Sequence, residues 1–470
     1  MTDRKSPTRT NKKIRIDPAE RVRDFLAAIS ADLADAESDE IFGVMRDVPN
    51  PYSGQATNVV IRNADNEFWT NCITELNDPN KRDRVAVVGT PGIGKSTTAF
   101  YLIKLLLERG DTVVYVRRSV DQVLHYVQLT PSDGDDVEVQ VQLFPESTKQ
   151  TEIDALYDPE TYFIVDPGQT KANYNPEGDV AARVVIVASP DERHWGGNAF
   201  SKKDEIGKGG MFRYFPHWSL TELIGGSTEL RTVNFADGQI TRLFRVFGGI
   251  PRQVFFPLEE RENAADLQRK VAALTEQQVK DLVKGELNVH VGFGVDQPHG
   301  GIVVFKPVAR YIDVELELAS DYILLQVRRR FMNGLWTELA IYPSPIAWQL
   351  LEEYLLEALQ ANHTYTGRVC VGKIHPAYKQ HQQIQLGGCN DKVLVCDCTT
   401  AVRNGAESVL YFSSSRTHPL YDMIFKIGNT YYAFQVTMGK THDAKQWQID
   451  AVIHDLSIGT GGRELHLFFA

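Results

Sequence analysis

Residues Gly89 to Ser96 read GTPGIGKS, which satisfies the pattern G-x-x-x-x-G-K-S/T at every fixed position. An apolar run, Val85 to Val88, precedes this stretch, and a helix-like run, Thr97 to Glu108, follows it. It therefore lies between strand and helix, where a phosphate-binding loop lies. Gly89, Gly92 and Gly94 permit a tight turn with its N–H groups pointing inward, and the following helix adds its positive end. Thr90, Pro91 and Ile93 fill out the loop, and Thr97 opens the helix. Lys95 is placed to reach the β- and γ-phosphates of ATP, and the Ser96 hydroxyl to ligate Mg²⁺. The bland alternative is a glycine-rich turn that binds nothing.

Working outward, Thr112 to Val116 (TVVYV) reads as a second strand after a helix closed by Gly110. Tyr162 to Asp166 (YFIVD) is an apolar run ending in an acid, and Val184 to Ser189 (VVIVAS) one ending in a hydroxyl. Alternation of this kind predicts an α/β fold with a parallel sheet and right-handed crossovers. Asp166 is then expected at the carboxyl end of a central strand, holding the water shell of Mg²⁺. For Ser189 two readings stay open, a contact to the γ-phosphate and a cap for the next turn. Pro167-Gly168 follows Asp166 where a second, water-activating acid is common, so Asp191 or Glu192 would have to substitute.

The 470 residues predict two or three domains, and 43% hydrophobic with 24% charged residues is ordinary for globular chains. A net charge of -11 argues against a surface coated for nonspecific nucleic-acid binding. Five cysteines suit a reducing compartment, and Cys396-x-Cys398 reads as buried strand cysteines or, less simply, as half of a metal site. No apolar run approaches a membrane span, so no membrane partner is expected. The boundaries drawn are 1–66 for a basic arm and connecting segment, 67–260 for the nucleotide domain with a helical lid, 261–342 for a helical and mixed linker, and 343–470 for a last domain. Pro18 to Leu33 and Val271 to Val283 show helix spacing. Lys12-Lys13-Ile14-Arg15 reads as a nuclear import signal or a plain basic tail, and Arg328-Arg329-Arg330 as a phosphate contact or a solvated helix face.

Three stretches in order, GTPGIGKS, YFPHWSLTEL (Tyr214 to Leu223) and RVFGGIPR (Arg245 to Arg252), resemble the nucleotide-binding module of the Crinkler effectors and retrotransposon hot spot proteins. The resemblance covers roughly residues 68 to 260. It implies an ATPase related to the signal-transducing P-loop class, in which the Gly249-Ile250-Pro251 turn packs in the lid near adenine. Read from residues alone, that turn is a Gly/Pro break between helices.

In the last domain, Pro343 to Leu359 opens with Ser344 as a cap and Pro345 at the first helical position. Lys392 to Cys398 reads as a strand, and Pro419 to Thr437 as two strands joined by Gly428-Asn429. Asp422, Gln435, Thr437 and Lys440, with His442 beyond, are similar to the core of PD-(D/E)xK nucleases, and the same families often carry such a domain after the ATPase. The resemblance implies that Asp422 holds Mg²⁺, that Lys440 orients water, and that Glu352 or Glu353 supplies a further acid. Gln435 stands where a carboxylate is usual and Thr437 where lysine is, so an active nuclease, a silent binding platform and an ordinary hairpin all remain open. The functional expectation is an effector or toxin-like protein in which an ATP-binding switch controls a Mg²⁺-dependent nuclease acting on DNA. The alternative is a nucleotide-dependent nuclear interaction protein with a silent last domain, with nuclear protein partners. The nucleus, or a host nucleus after delivery, is the expected location, with the cytoplasm as the other; self-association is compatible with either.

Overall fold

The computed structural model describes residues 18–36, 38–49, 56–118, 124–132, 139–145, 147–167, 180–188, 210–230, 235, 237–255, 260–284 and 301–341. Beyond these it describes 344–347, 349–350, 364–369, 380–385, 391–395, 402–403, 409–413, 423–427, 429–435, 454, 456 and 464–469. The chain divides into two compact units, one of residues 1–273 with 288–322, the other of 274–287 with 323–470.

The first unit is α/β, built on a seven-stranded, mostly parallel sheet. Its elements in order are α1 (Pro18–Ser30), β1 (Ile41–Pro49), β2 (Ala56–Arg62), α2 (Asn63–Leu76), β3 (Arg84–Val88), α3 (Lys95–Glu108), β4 (Val113–Arg118), β5 (Leu124–Pro131), β6 (Val139–Leu143), β7 (Tyr162–Asp166), β8 (Arg183–Val187) and β9 (Met211–Tyr214). There follow α4 (Leu220–Glu229), α5 (Asp237–Phe247), α6 (Pro251–Phe255), α7 (Glu260–Ala273), β10 (Val303–Val308) and β11 (Asp313–Leu318). Strands β3 and β7 are buried at every residue, because a parallel strand with both faces covered has no side for water.

The order across the sheet is β6-β5-β4-β7-β8-β3-β9, with β5 and β6 antiparallel at one edge. From β3 the chain crosses to β4 on one side, and from β8 its next sheet strand is β9 on the other. In open parallel sheets, neighbouring strands whose connections run in opposite directions mark a topological switch point, and β3 and β8 are such neighbours. The loop 89–94 leaves β3 at that point.

Residues before the sheet belong to this unit. Helix α1 sets Phe25 edge-on against Phe100 of α3, ring centroids 5.0 Å apart, while Lys104 Nζ donates to Ala31 O at 2.9 Å. The β1–β2 hairpin meets α4: Arg46 pairs with Glu229 at 3.3 Å, and Asn58 Nδ2 donates to Glu229 O.

Local expectations shift in instructive ways. The helix after the loop begins at Lys95, two residues earlier than periodicity suggested, because the left-handed Gly94 turns directly into it. The helix expected over Val271 to Val283 is two helices. Thr275 interrupts it with a capping box: Thr275 N donates to Gln278 Oε1, and Gln278 N to Thr275 Oγ1. The second of the two, α8 (Glu276–Lys284), lies in the other unit.

That unit continues with α9 (Asp321–Ile341), then β12 (Thr364–Val369), β13 (Gln380–Gln385), β14 (Asp391–Val395), β15 (Val409–Ser413), β16 (Met423–Ile427), β17 (Thr430–Gln435) and β18 (Glu464–Phe469). Its main sheet runs β14-β15-β16-β17-β18 and is mixed, with β15 through β17 antiparallel and β18 parallel to β17. Strands β16 and β17 pair antiparallel as expected of the hairpin, and Gly428 between them lies outside the described residues. The Ser344 cap is present as expected, its hydroxyl accepting from Ala347 N at 3.1 Å. The Arg328 to Arg330 run does not share one face, since Arg328 is buried while Arg329 and Arg330 are exposed.

Candidate functional site

The loop after β3 needs two left-handed residues, and glycine supplies both: Gly92 has φ +89° and Gly94 φ +105°. Nothing lies within 4 Å of a Cβ built on Gly94, so the demand there is on the backbone alone. At Gly89 the demand is steric, for a Cβ would meet Ile93 Cδ1 at 3.0 Å and Phe215 O at 3.2 Å.

Four separate parts of the chain hold this loop. Lys95 Nζ donates to Gly89 O at 2.7 Å and to Thr90 O at 3.1 Å. Trp218 Nε1 donates to Ile93 O at 3.0 Å, and Arg252 N to Gly92 O at 3.2 Å. Phe305 N on β10 donates to Thr90 Oγ1 at 3.1 Å. The loop carbonyls thus face protein donors, which leaves its amides as the polar groups available to an anion. Two of the donors come from the stretches singled out beside the loop in the sequence. Trp218 N also donates to Gly249 O at 3.2 Å, and a Cβ on Gly249 would land on Trp218 O, so no larger residue fits this junction. Ile250 is buried and Pro251 half-buried beside the loop.

Beneath this junction sits Arg62, fully buried and unsuspected from sequence. Its guanidinium makes a fork to Asp65, Nε to Oδ2 at 3.0 Å and Nη2 to Oδ1 at 2.6 Å. It also donates to Glu222 Oε2 at 3.2 Å and to the carbonyls of His217 and Pro216, both at 3.0 Å. Its carbon Cζ lies 4.7 Å from the Trp218 ring centroid. The planar five-donor fork suits arginine alone. The one sequence trace of it is the Arg62-x-x-Asp65 spacing at a helix start, where Arg62 N donates to Asp65 Oδ2 as in a capping box. His217 is held below the ordinary imidazole value by burial, with Glu317 opposing.

Asp166 ends β7, buried, and is the register partner of Arg117, whose Nε lies 3.5 Å from Asp166 Oδ2. One strand, β8, separates β7 from β3. Strands are spaced by about 4.8 Å, so Asp166 stands roughly 10 Å from the loop strand, suited to hold a metal through water more than directly. Its charge reaches Lys95 and opposes the lowering described below. Ser96 is half-buried and Thr97 exposed at the start of α3. A hydroxyl and a carboxylate are hard oxygen donors, the ligand chemistry that Mg²⁺ takes.

Burial, and then the charge of Arg252, push the Lys95 ammonium down from 10.5 to about 7. Phosphate groups favour the protonated form, so if a nucleotide binds at this loop its binding above pH 7 takes up a proton. Affinity for ATP is therefore expected to fall as pH rises from 7 to 9, by up to about tenfold per unit. Calorimetric titrations at pH 8 in two buffers of different ionisation enthalpy measure the uptake directly. Zero uptake would mean that Lys95 stays charged throughout.

Ser189, Asp191 and Glu192 lie outside the described residues. So do Asp422, Thr437, Lys440, His442, Glu352, Glu353, Cys396 and Cys398. Gln435 is the last residue of β17, and β16 begins immediately after Asp422. Among the described residues no cluster of three or more His, Cys, Asp or Glu has the makings of a metal site, and no helix is long and apolar enough to cross a membrane. No protein-family model matches the chain, and comparison with curated proteins gave no match.

Proposed function

We propose that the first unit binds Mg²⁺ and ATP at Gly89 to Thr97 and acts as a nucleotide-controlled switch for a nuclease-like second unit that acts on DNA. The observation that carries the nucleotide part is the convergence of Lys95, Trp218, Arg252 and Phe305 on one glycine-rich loop at the carboxyl end of β3. In this reading Lys95 exchanges the Gly89 and Thr90 carbonyls for the β- and γ-phosphates. The loop amides take the remaining phosphate oxygens, Ser96 and Asp166 hold the metal, and Pro251 lies toward the base. Bound Mg²⁺ would supply neutralisation of phosphate charge. Phosphates arriving at the loop bias the lid segments bonded to it, which is a population shift between lid arrangements.

For the second unit, support comes from its mixed five-stranded sheet, in which β16 begins one residue after Asp422 in the sequence and β17 ends with Gln435. Gln435 in place of a carboxylate favours the second reading, a silent nuclear interaction platform, because a hard cation loses affinity with each anionic ligand removed.

The test is nicking of supercoiled plasmid by the full chain with Mg²⁺, with and without ATP, and with EDTA as control. Nicking lost in Asp422→Ala supports the nuclease. Undiminished nicking by that variant would remove Asp422 from the site, and no nicking by any form with ATP binding intact would favour the platform.

A further inference from the structure

Arg252 follows the Gly249-Ile250-Pro251 turn, and its side chain leans over the crown of the loop. A Cβ built on Gly92 would meet Arg252 Cβ at 3.0 Å and Arg252 Cδ at 3.5 Å, so the aliphatic stem lies on the glycine itself. Its backbone is fixed there too, by the bond from Arg252 N to Gly92 O at 3.2 Å. The residue is nonetheless exposed, and among the described residues its guanidinium has no carboxylate within salt-bridge distance. Its charge is felt at Lys95. A cation pinned at its stem over the loop and exposed at its head is placed to meet an anion that the loop amides hold.

We infer that Arg252 is a phosphate-contacting residue of the nucleotide site, binding the terminal phosphate and thereby coupling occupancy of the loop to the lid. The inference rests on the nucleotide-binding reading above. The geometry gives the guanidinium a role distinct from that of Lys95. Lys95 is rooted in α3 and moves with the loop, whereas Arg252 is rooted in α6. A contact made only when a third phosphate is present would add a side-chain tie to the backbone bond that already joins α6 to the loop, so the residue discriminates ATP from ADP. Arginine suits this role because its planar fork grips a terminal phosphate through two parallel bonds.

The test compares affinities of ATP and ADP, each with Mg²⁺, for the full-length wild-type chain, Arg252→Gln, Arg252→Lys and Lys95→Ala. Glutamine keeps most of the stem over Gly92 and removes the charge. Arg252→Gln is expected to lose about tenfold in ATP affinity with ADP affinity changed by less than about twofold, the size of one charge-assisted hydrogen bond. Arg252→Lys should recover part of the loss. Equal losses for ATP and ADP in Arg252→Gln, or none for either, would overturn the inference while leaving nucleotide binding itself intact. Undiminished binding of both nucleotides by Lys95→Ala would instead overturn the reading of the loop.

Discussion

Arg62→Ala is expected to lower the stability of the first unit by about 3–5 kcal/mol, the cost of removing one partner from a buried ion pair. In a unit of this size that corresponds to a fall in the unfolding midpoint on the order of 10 °C, read by calorimetry or circular dichroism. The reason is what the truncation leaves behind. Asp65 is fully buried and would be left without its cation, and the carbonyls of Pro216 and His217 would lose their donors. The double variant Arg62→Ala with Asp65→Ala should be less damaged than the sum of its parts, because the orphaned carboxylate is gone. Arg62→Lys should not rescue, since one ammonium cannot replace the fork. A midpoint unchanged in Arg62→Ala would mean that the junction beneath Trp218 is held by other contacts.

Lys95→Ala is expected to weaken ATP binding by at least about 100-fold, or about 2.8 kcal/mol, with the circular dichroism spectrum retained. Lys95 is 7% exposed and at present grips two loop carbonyls, so the loop is preshaped around an ammonium group. Alanine there leaves the loop amides but removes the charge that the proposed reading sets nearest the phosphates. Affinity measured with a fluorescent ATP analogue checks the magnitude.

The sequence carried the loop, the acid-ended strand β7 and the β16–β17 hairpin because each is a local signal. Glycine at left-handed positions, four apolar residues ending in an acid and a Gly-Asn pair between two alternating runs are written within a few residues of chain. It carried the order of the stretches around Trp218 and Gly249, but not the bonds that join them. The contacts that complete the site join residues far apart: Arg62 to Glu222, Phe305 to Thr90, Arg252 to Gly92. No periodicity encodes such pairings, and a lone arginine or a backbone N–H has no pattern of its own. The segment before residue 67 and that around residue 305 read as connection for the same reason. Their elements are short, and their importance comes from what they touch.

The central claim, that Gly89 to Thr97 is a site for Mg²⁺ and ATP, is tested most directly by calorimetric titration of the full-length chain with ATP at pH 7 in the presence of Mg²⁺, with Lys95→Ala alongside. Saturable binding of one ATP per chain, lost in the variant, is the predicted result. No saturable binding by the wild-type chain, or binding equal in both, would contradict it.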